Sequence, residues 1–256
     1  MFMDLENNVL FLKTQKCAGT SVEIYLRQFT SDHTIGTRDD KEAQSLADSI
    51  GAKMPHPENV PLRALSPLQL LDKARHPSLA TALSPHQSAK SLRQWLGRKR
   101  FRNMRKLSIV RHPYDRCVSW FFHSEQKAIR IQKLDKVGLA SHFERFLVLG
   151  LPKLKKISRE VTHIDGTPMP TDWIRFESIA EDTELIAREL FPRVDRGKEG
   201  LTGLRQIRTK SHFRPRDDST TAWLVASGNS AAQIRQMFHW EFEYFGYSDR
   251  IPESSP

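Results

Sequence analysis

VLFLKTQKCAGTSVEIYL, residues 9–26, changes character twice within eighteen positions. Val9 to Leu12 is a continuous apolar run, the pattern of a short buried strand. Lysines, a glycine and hydroxyl side chains crowd positions 13–21. Over residues 20–29, Val22, Tyr25, Leu26 and Phe29 fall at i, i+3, i+4 and i+7, which predicts an amphipathic helix. A loop between a strand and a helix presents backbone N–H groups without helical partners and the positive end of a dipole. Such a junction suits a phosphate-like anion. Lys16 adds positive charge, Gly19 permits close backbone approach, and Thr20 and Ser21 add hydroxyl donors.

The loop is not that of a P-loop nucleoside triphosphatase. That motif, G-x-x-x-x-G-K-[ST], sets its lysine after the second glycine. Here Lys16 precedes Gly19 and no glycine lies upstream in the loop. The junction fits an anion without fitting a magnesium-bound triphosphate. From these residues alone, a plain strand–turn–helix with a stray lysine stays open.

A second junction follows. LSIV, 107–110, reads as a buried strand and feeds RHPYDRCVSWFFH, 111–123. Pro113 suits a first helical turn, and Tyr114, Val118, Phe121 and Phe122 form one apolar face. Arg111 at the strand end and Ser119 on the helix are able to clamp a second anion. A third strand, WIRF at 173–176, leads to a helix over 178–190, where Ser178 and Glu181 have capping-box spacing. SAKSLRQWLG, 88–97, reads as a short helix stopped by Gly97. Near the end, Ile234, Met237 and Phe238 line a last helix, packed down by Phe242, Tyr244, Phe245 and Tyr247. Three strands running straight into helices predict an α/β fold: three layers, a mostly parallel sheet flanked by helices.

One domain is expected over 1–250. Residues 36–85, broken by Pro55, Pro57, Pro61, Pro67 and Pro77, read as an irregular insertion or acceptor-side segment outside the core, and 251–256 as a frayed tail. No apolar stretch approaches the roughly 20 residues of a membrane span. MFMDLENN is not a secretory signal, so a cytoplasmic location is expected. Cys17 and Cys117 read as small semi-buried thiols, too few for a disulfide framework or a zinc site. The net charge of +10 favours anionic partners. It is concentrated at 98–106 (RKRFRNMRK), 153–159 and 205–216, each also readable as a solvated face.

The chain resembles the sulfotransferases that use 3′-phosphoadenosine-5′-phosphosulfate (PAPS). K-x-A-G-T-S after one strand and R-x-P-Y-D-R-x-V-S after another carry the likeness. PHQSAKSLRQWLG, DWIRFESIAED and the ending FEYFGY are similar to segments of the carbohydrate-type and bacterial branch. The resemblance touches most of the chain except 30–80. It implies a P-loop-like sulfotransferase fold. It implies that Lys16, Cys17, Ala18, Gly19, Thr20 and Ser21 hold the 5′-phosphosulfate, and that Arg111 and Ser119 bind the 3′-phosphate. Cys17 stands where threonine is common; His112 stands where asparagine or aspartate is common, leaving that helix start less well capped.

The implied reaction moves a sulfuryl group to an acceptor hydroxyl on a glycan or glycolipid, with Lys16 stabilising the leaving phosphate and no metal expected. By family position His86 is the general base; Glu23, His123 and His212 are the other candidates. Glu23 reads equally as an exposed helix residue, and His86 as a surface histidine. Asp115 and Arg116 read as an ion pair, and Glu177 as a loop-fixing hydrogen-bonding residue. Arg208, Lys210 and Ser211 are placed in a stretch that closes over the nucleotide. Both cysteines fall in the cofactor loops, so oxidation is expected to inhibit. Two other classes remain: an ATP-dependent kinase or nucleotide hydrolase of related fold, and a basic nucleic-acid-binding protein. The first lacks the Walker A order, and the second lacks interleaved aromatics. No nucleic-acid partner is expected, and the oligomeric state is open.

Overall fold

The computed structural model describes residues 1–32, 34–37, 41–53, 84–132, 134–192, 202–207 and 219–251. In chain order the elements are β1 (Phe2–Asp4), β2 (Val9–Leu12), α1 (Gly19–Arg27), β3 (Thr34–Gly36), α2 (Lys41–Ser49), α3 (Ala89–Leu96), α4 (Arg98–Asn103) and β4 (Arg105–Val110). Then come α5 (Pro113–Gln132), α6 (Lys136–Thr162), β5 (His163–Ile164), β6 (Thr167–Pro168), β7 (Asp172–Arg175), α7 (Ile179–Leu190), a 3-10 turn at Leu204–Gln206, α8 (Ser219–Ala226) and α9 (Ser230–Phe245). They form two compact units, Met1–Val110 with Ser158–Thr209, and Arg111–Ile157 with Lys210–Pro256.

The first unit is built on a five-stranded sheet of order β3-β1-β2-β4-β7. β2 pairs parallel with β4, and β4 with β7; β1 is antiparallel to both β2 and β3. Only β1 therefore runs against the other strands, which matches the mostly parallel sheet expected. The mixed α/β class is also as expected. Alternate strand residues Phe2, Val9, Phe11, Leu107, Ile109 and Ile174 share one face, and Val22, Tyr25 and Leu26 of α1 and Ile186 of α7 join them in one buried cluster.

Ala43 and Ala47 of α2 belong to that same cluster. The expectation that 36–85 stays out of the core is corrected there: two alanines four residues apart give α2 a smooth face that packs closely. Residues 54–83, with all five prolines, lie outside the described residues, as does most of the expected frayed tail. β1 was also unexpected. Asp4 folds the chain back into β2 by accepting from the Glu6 and Asn7 amides at 3.2 Å each, and it holds Ser31 N at 2.8 Å.

Ser88 caps α3, its hydroxyl accepting from Ser91 N at 3.2 Å, and Gly97 ends it as expected, with φ +79°. The capping box on α7 does not form. Ser178 precedes the helix without a side-chain capping bond, and Glu181 pairs with Arg205 instead. Asp182 accepts from Arg175 N at 2.8 Å and ties the helix start to β7.

The second unit packs α5, α6, α8 and α9 around aromatic residues. Tyr114, Val118, Phe121 and Phe122 of α5 are buried, the face the sequence predicts. Phe143, Leu147, Leu151 and Leu154 of α6 meet them. Arg116 is buried between Glu241, 3.4 Å away, and the Phe238 ring, 4.6 Å away. Phe242 and Phe245 are buried on α9, but Tyr244 is 53% exposed and stacks on Trp240, so it does not pack the helix down as expected. Among the described residues no helix is long and apolar enough to cross a membrane.

Candidate active site

The loop from Lys13 to Thr20 is shaped by its backbone. Lys16 and Ala18 have φ of +61° and +58°, whereas Cys17 between them does not share the positive sign. Such alternation turns successive N–H groups toward one concave side, the backbone form of an anion nest. Ala18 is the N-cap of α1; its carbonyl accepts from Ser21 N at 3.1 Å and Val22 N at 3.3 Å, and no side chain caps the helix. The first-turn amides of Gly19 and Thr20 have no acceptor within the helix by its geometry. Gly19 is required by proximity: a Cβ there would stand 2.8 Å from Cγ of Lys13. Thr14 anchors the loop by donating its hydroxyl to the Ile109 carbonyl of β4 at 2.6 Å. Cys17 is buried, and its thiol donates to the Gln15 carbonyl at 3.3 Å. Lys16 and Thr20 are half-buried beside it.

His86 comes to this loop from the turn before α3. Its Nδ1 lies 2.8 Å from the carbonyl of Lys13. A carbonyl only accepts, so this partner assigns the hydrogen to Nδ1 and leaves Nε2 of the neutral ring as a base. Burial holds the His86 pKa below its ordinary value. The bond to the Lys13 carbonyl opposes that shift, and the charges of Lys13 and the Met1 ammonium reinforce it. The ring is therefore neutral at physiological pH.

Glu23 is not an exposed helix residue. It is fully buried, and its Oε2 accepts from the Met1 ammonium at 2.7 Å and from Lys13 Nζ at 2.8 Å. Burial alone would raise its pKa; the Met1 ammonium, Lys13 and Arg27 outweigh that and hold it at about 2. A carboxylate so held does not take up a proton at neutral pH. It fixes Lys13, whose carbonyl seats His86. Sequence reading missed this chain of contacts, although Glu23 lies ten residues after Lys13.

In the second unit Arg111 is 8% exposed, and its Nε donates to Oδ2 of Asp115 at 2.5 Å. Asp115 and Ser119 are four residues apart on α5, so they share a face, and Ser119 is half-buried. Arg111, Asp115 and Ser119 thus form a polar line at the start of α5. Asp115 takes part in an ion pair with Arg111 four residues earlier, a loop-fixing pair as expected, and Arg116 pairs with Glu241. His112 does cap its helix: Nδ1 accepts from Tyr114 N at 3.3 Å, while Nε2 faces the Ser248 carbonyl at 3.0 Å. The imidazole thus caps a helix start that was expected to be less well capped.

Cys117 lies in α5, within the aromatic core, and burial pushes its thiol up to about 12. Both thiols are fully buried, beyond the semi-buried state expected. His123 is half-buried on α5 and Glu177 is exposed. Arg208, Lys210, Ser211 and His212 lie outside the described residues. The basic run at 98–106 splits by role. Arg105 bridges Asp172 and Glu189, Lys106 donates to the Phe101 and Met104 carbonyls, and Arg98, Lys99 and Arg102 are exposed. Among the described residues no three His, Cys, Asp or Glu side chains gather as metal ligands would.

The family model described as Sulfotransferase family matches residues 1–248. The chain belongs to the sulfotransferase family. The match runs through both units of the sulfotransferase and includes the loop at 13–20, His86, Arg111 and Ser119. No curated protein and no solved structure matches this sulfotransferase.

Proposed function

We propose that this sulfotransferase transfers the sulfuryl group of PAPS to a hydroxyl of a glycan or glycolipid acceptor, with residues 1–250 acting as one P-loop-like domain. The observation that carries the reading is His86 seated on the Lys13 carbonyl at the edge of an anion-shaped loop. A base brought against an anion cradle is what an in-line displacement on a bound phosphosulfate requires. The donor supplies a sulfur whose bond to the 5′-phosphate oxygen breaks as the acceptor oxygen bonds to it. Nε2 of His86 takes the proton of the acceptor hydroxyl. The Lys16 ammonium and the backbone amides of 17–21 neutralise the charge that grows on the departing phosphate. Arg111 and Ser119 hold the 3′-phosphate, and Asp115 orients the Arg111 guanidinium for it.

Lys16→Ala is expected to lower kcat by roughly 10²- to 10³-fold, the cost of removing one preorganised charge stabiliser. The comparison of kcat with donor-product affinity checks it, since the affinity should change much less. The whole reading is tested by thermal denaturation with 3′-phosphoadenosine-5′-phosphate, ATP–magnesium and duplex DNA, each at two salt concentrations. At a hundredfold excess over Kd the adenosine bisphosphate should stabilise by about 2.7 kcal/mol. Stabilisation by ATP–magnesium alone would return the triphosphate reading. Stabilisation by DNA alone, lost steeply with salt, would return the nucleic-acid reading.

A further inference from the structure

We infer that the outer face of α6 is a docking surface for an anionic lipid bilayer. Among the described residues the exposed large apolar side chains include Leu149 at 83% and Val148 at 64%, adjacent on this helix. Pro152, also exposed, stands one turn further on the same face. Exposed basic residues bracket this apolar tip along the axis: Arg145 one turn before it, Lys153 and Lys156 one turn after. Phe143, Leu147, Leu151 and Leu154 fix the opposite face of α6 in the aromatic core, so rotation of the helix cannot bury the tip. All these residues belong to the second unit, and the inference does not rest on the sulfuryl-transfer reading.

An apolar tip between lysines and arginines is the chemistry of an interfacial helix. Valine, leucine and proline enter the boundary between headgroups and acyl chains, and the long basic side chains reach out to the lipid phosphates. Anionic headgroups are the complement of three cations set around the tip. A second copy of this chain fits less well. A two-fold contact lays one patch on itself and would set Arg145, Lys153 and Lys156 near their own counterparts, in a chain already at +10. A nucleic acid would engage the cations and leave Leu149 in water.

The test is vesicle flotation of the full chain, with phosphatidylcholine vesicles that contain or lack phosphatidylglycerol. The wild type should float with the phosphatidylglycerol vesicles and not with phosphatidylcholine alone. The Val148→Ser/Leu149→Ser variant, at unchanged Tm, should partition roughly tenfold less or weaker. Lys153→Glu/Lys156→Glu should lose binding to a similar extent, roughly tenfold. Arg98→Glu/Lys99→Glu/Arg102→Glu, which changes more charge on the exposed side of α4, should still float. Equal flotation of Val148→Ser/Leu149→Ser and wild type would overturn the inference, because charge alone would explain the binding. It would also be overturned by a wild type that never floats, or by a vesicle-free dimer that Leu149→Ser dissociates.

Discussion

Replacing His86 with alanine should lower turnover by roughly 10²- to 10⁴-fold, the usual worth of a positioned general base. Donor binding should stay near wild type, because the proposed phosphate ligands are the loop at 13–21 and Arg111 and not His86. The measurement is release of 3′-phosphoadenosine-5′-phosphate from PAPS in the presence of a hydroxyl acceptor, set beside the affinity for that product. The pH profile carries a second signature. Burial lowers the pKa of His86, so the ring stays neutral and able to accept a proton below the ordinary histidine range. The acid limb of kcat/KM in the wild type should therefore fall below about 6.5, and it should vanish in His86→Ala. Equal losses of turnover and of donor affinity would remove His86 from the role of base. The Nδ1 bond to Lys13 would then be a structural tie only.

Glu23→Gln should cost about 3 to 5 kcal/mol of stability, the usual result of removing one partner from a buried ion pair. The Met1 ammonium and Lys13 are left facing a neutral amide in the core. For a chain of this size the Tm should fall by roughly 6 to 20 °C. The pH dependence has a defined sign. The Glu23 carboxyl titrates at about 2 in the folded chain against an ordinary 4.5. Its contribution is complete above 4.5 and is lost as the pH falls through 2. Urea denaturation at pH 7 and near pH 3 should show the gap between wild type and variant narrowing at the lower pH. A gap that widens on acidification would contradict the ion-pair account. The same variant should slow turnover, because it loosens Lys13 and with it the carbonyl that seats His86.

Local pattern made the parallel core of the sheet legible. Val9–Leu12, LSIV and WIRF are short apolar runs, each followed by a helical period, and all three appear as neighbouring parallel strands. β1 and β3 escaped because each is three residues long, too short to show alternation. The Asn7-Asn8 turn between two apolar runs was the available signal for the first hairpin, and Asp165-Gly166, both with positive φ, was the signal for β5–β6. Capping depended on geometry that spacing does not contain. Ser88 caps its helix, Ser178 does not, and His112 does so through its ring.

The loop at 13–21, the proposed anion cradle, stood out in the sequence because glycine, lysine and hydroxyls cluster visibly. Its left-handed residues did not, since Lys16 and Ala18 carry no mark of positive φ. The burial of Glu23 was hidden for a different reason. A glutamate on an amphipathic helix reads as solvent-facing until its cations, one of them at residue 1, are brought to it by the fold. The seat of His86 is a contact across 73 residues of chain, beyond the reach of any local pattern.

Isothermal titration with 3′-phosphoadenosine-5′-phosphate, on the wild type and on Arg111→Ala, tests the two-anion site most directly. Binding by the folded wild type should be in the micromolar range. The variant should bind roughly 10- to 100-fold more weakly, the worth of a charge-assisted hydrogen-bond partner. No binding by a folded wild type, or equal binding by both proteins, would contradict the assignment of Arg111 and with it the proposal that PAPS is the donor.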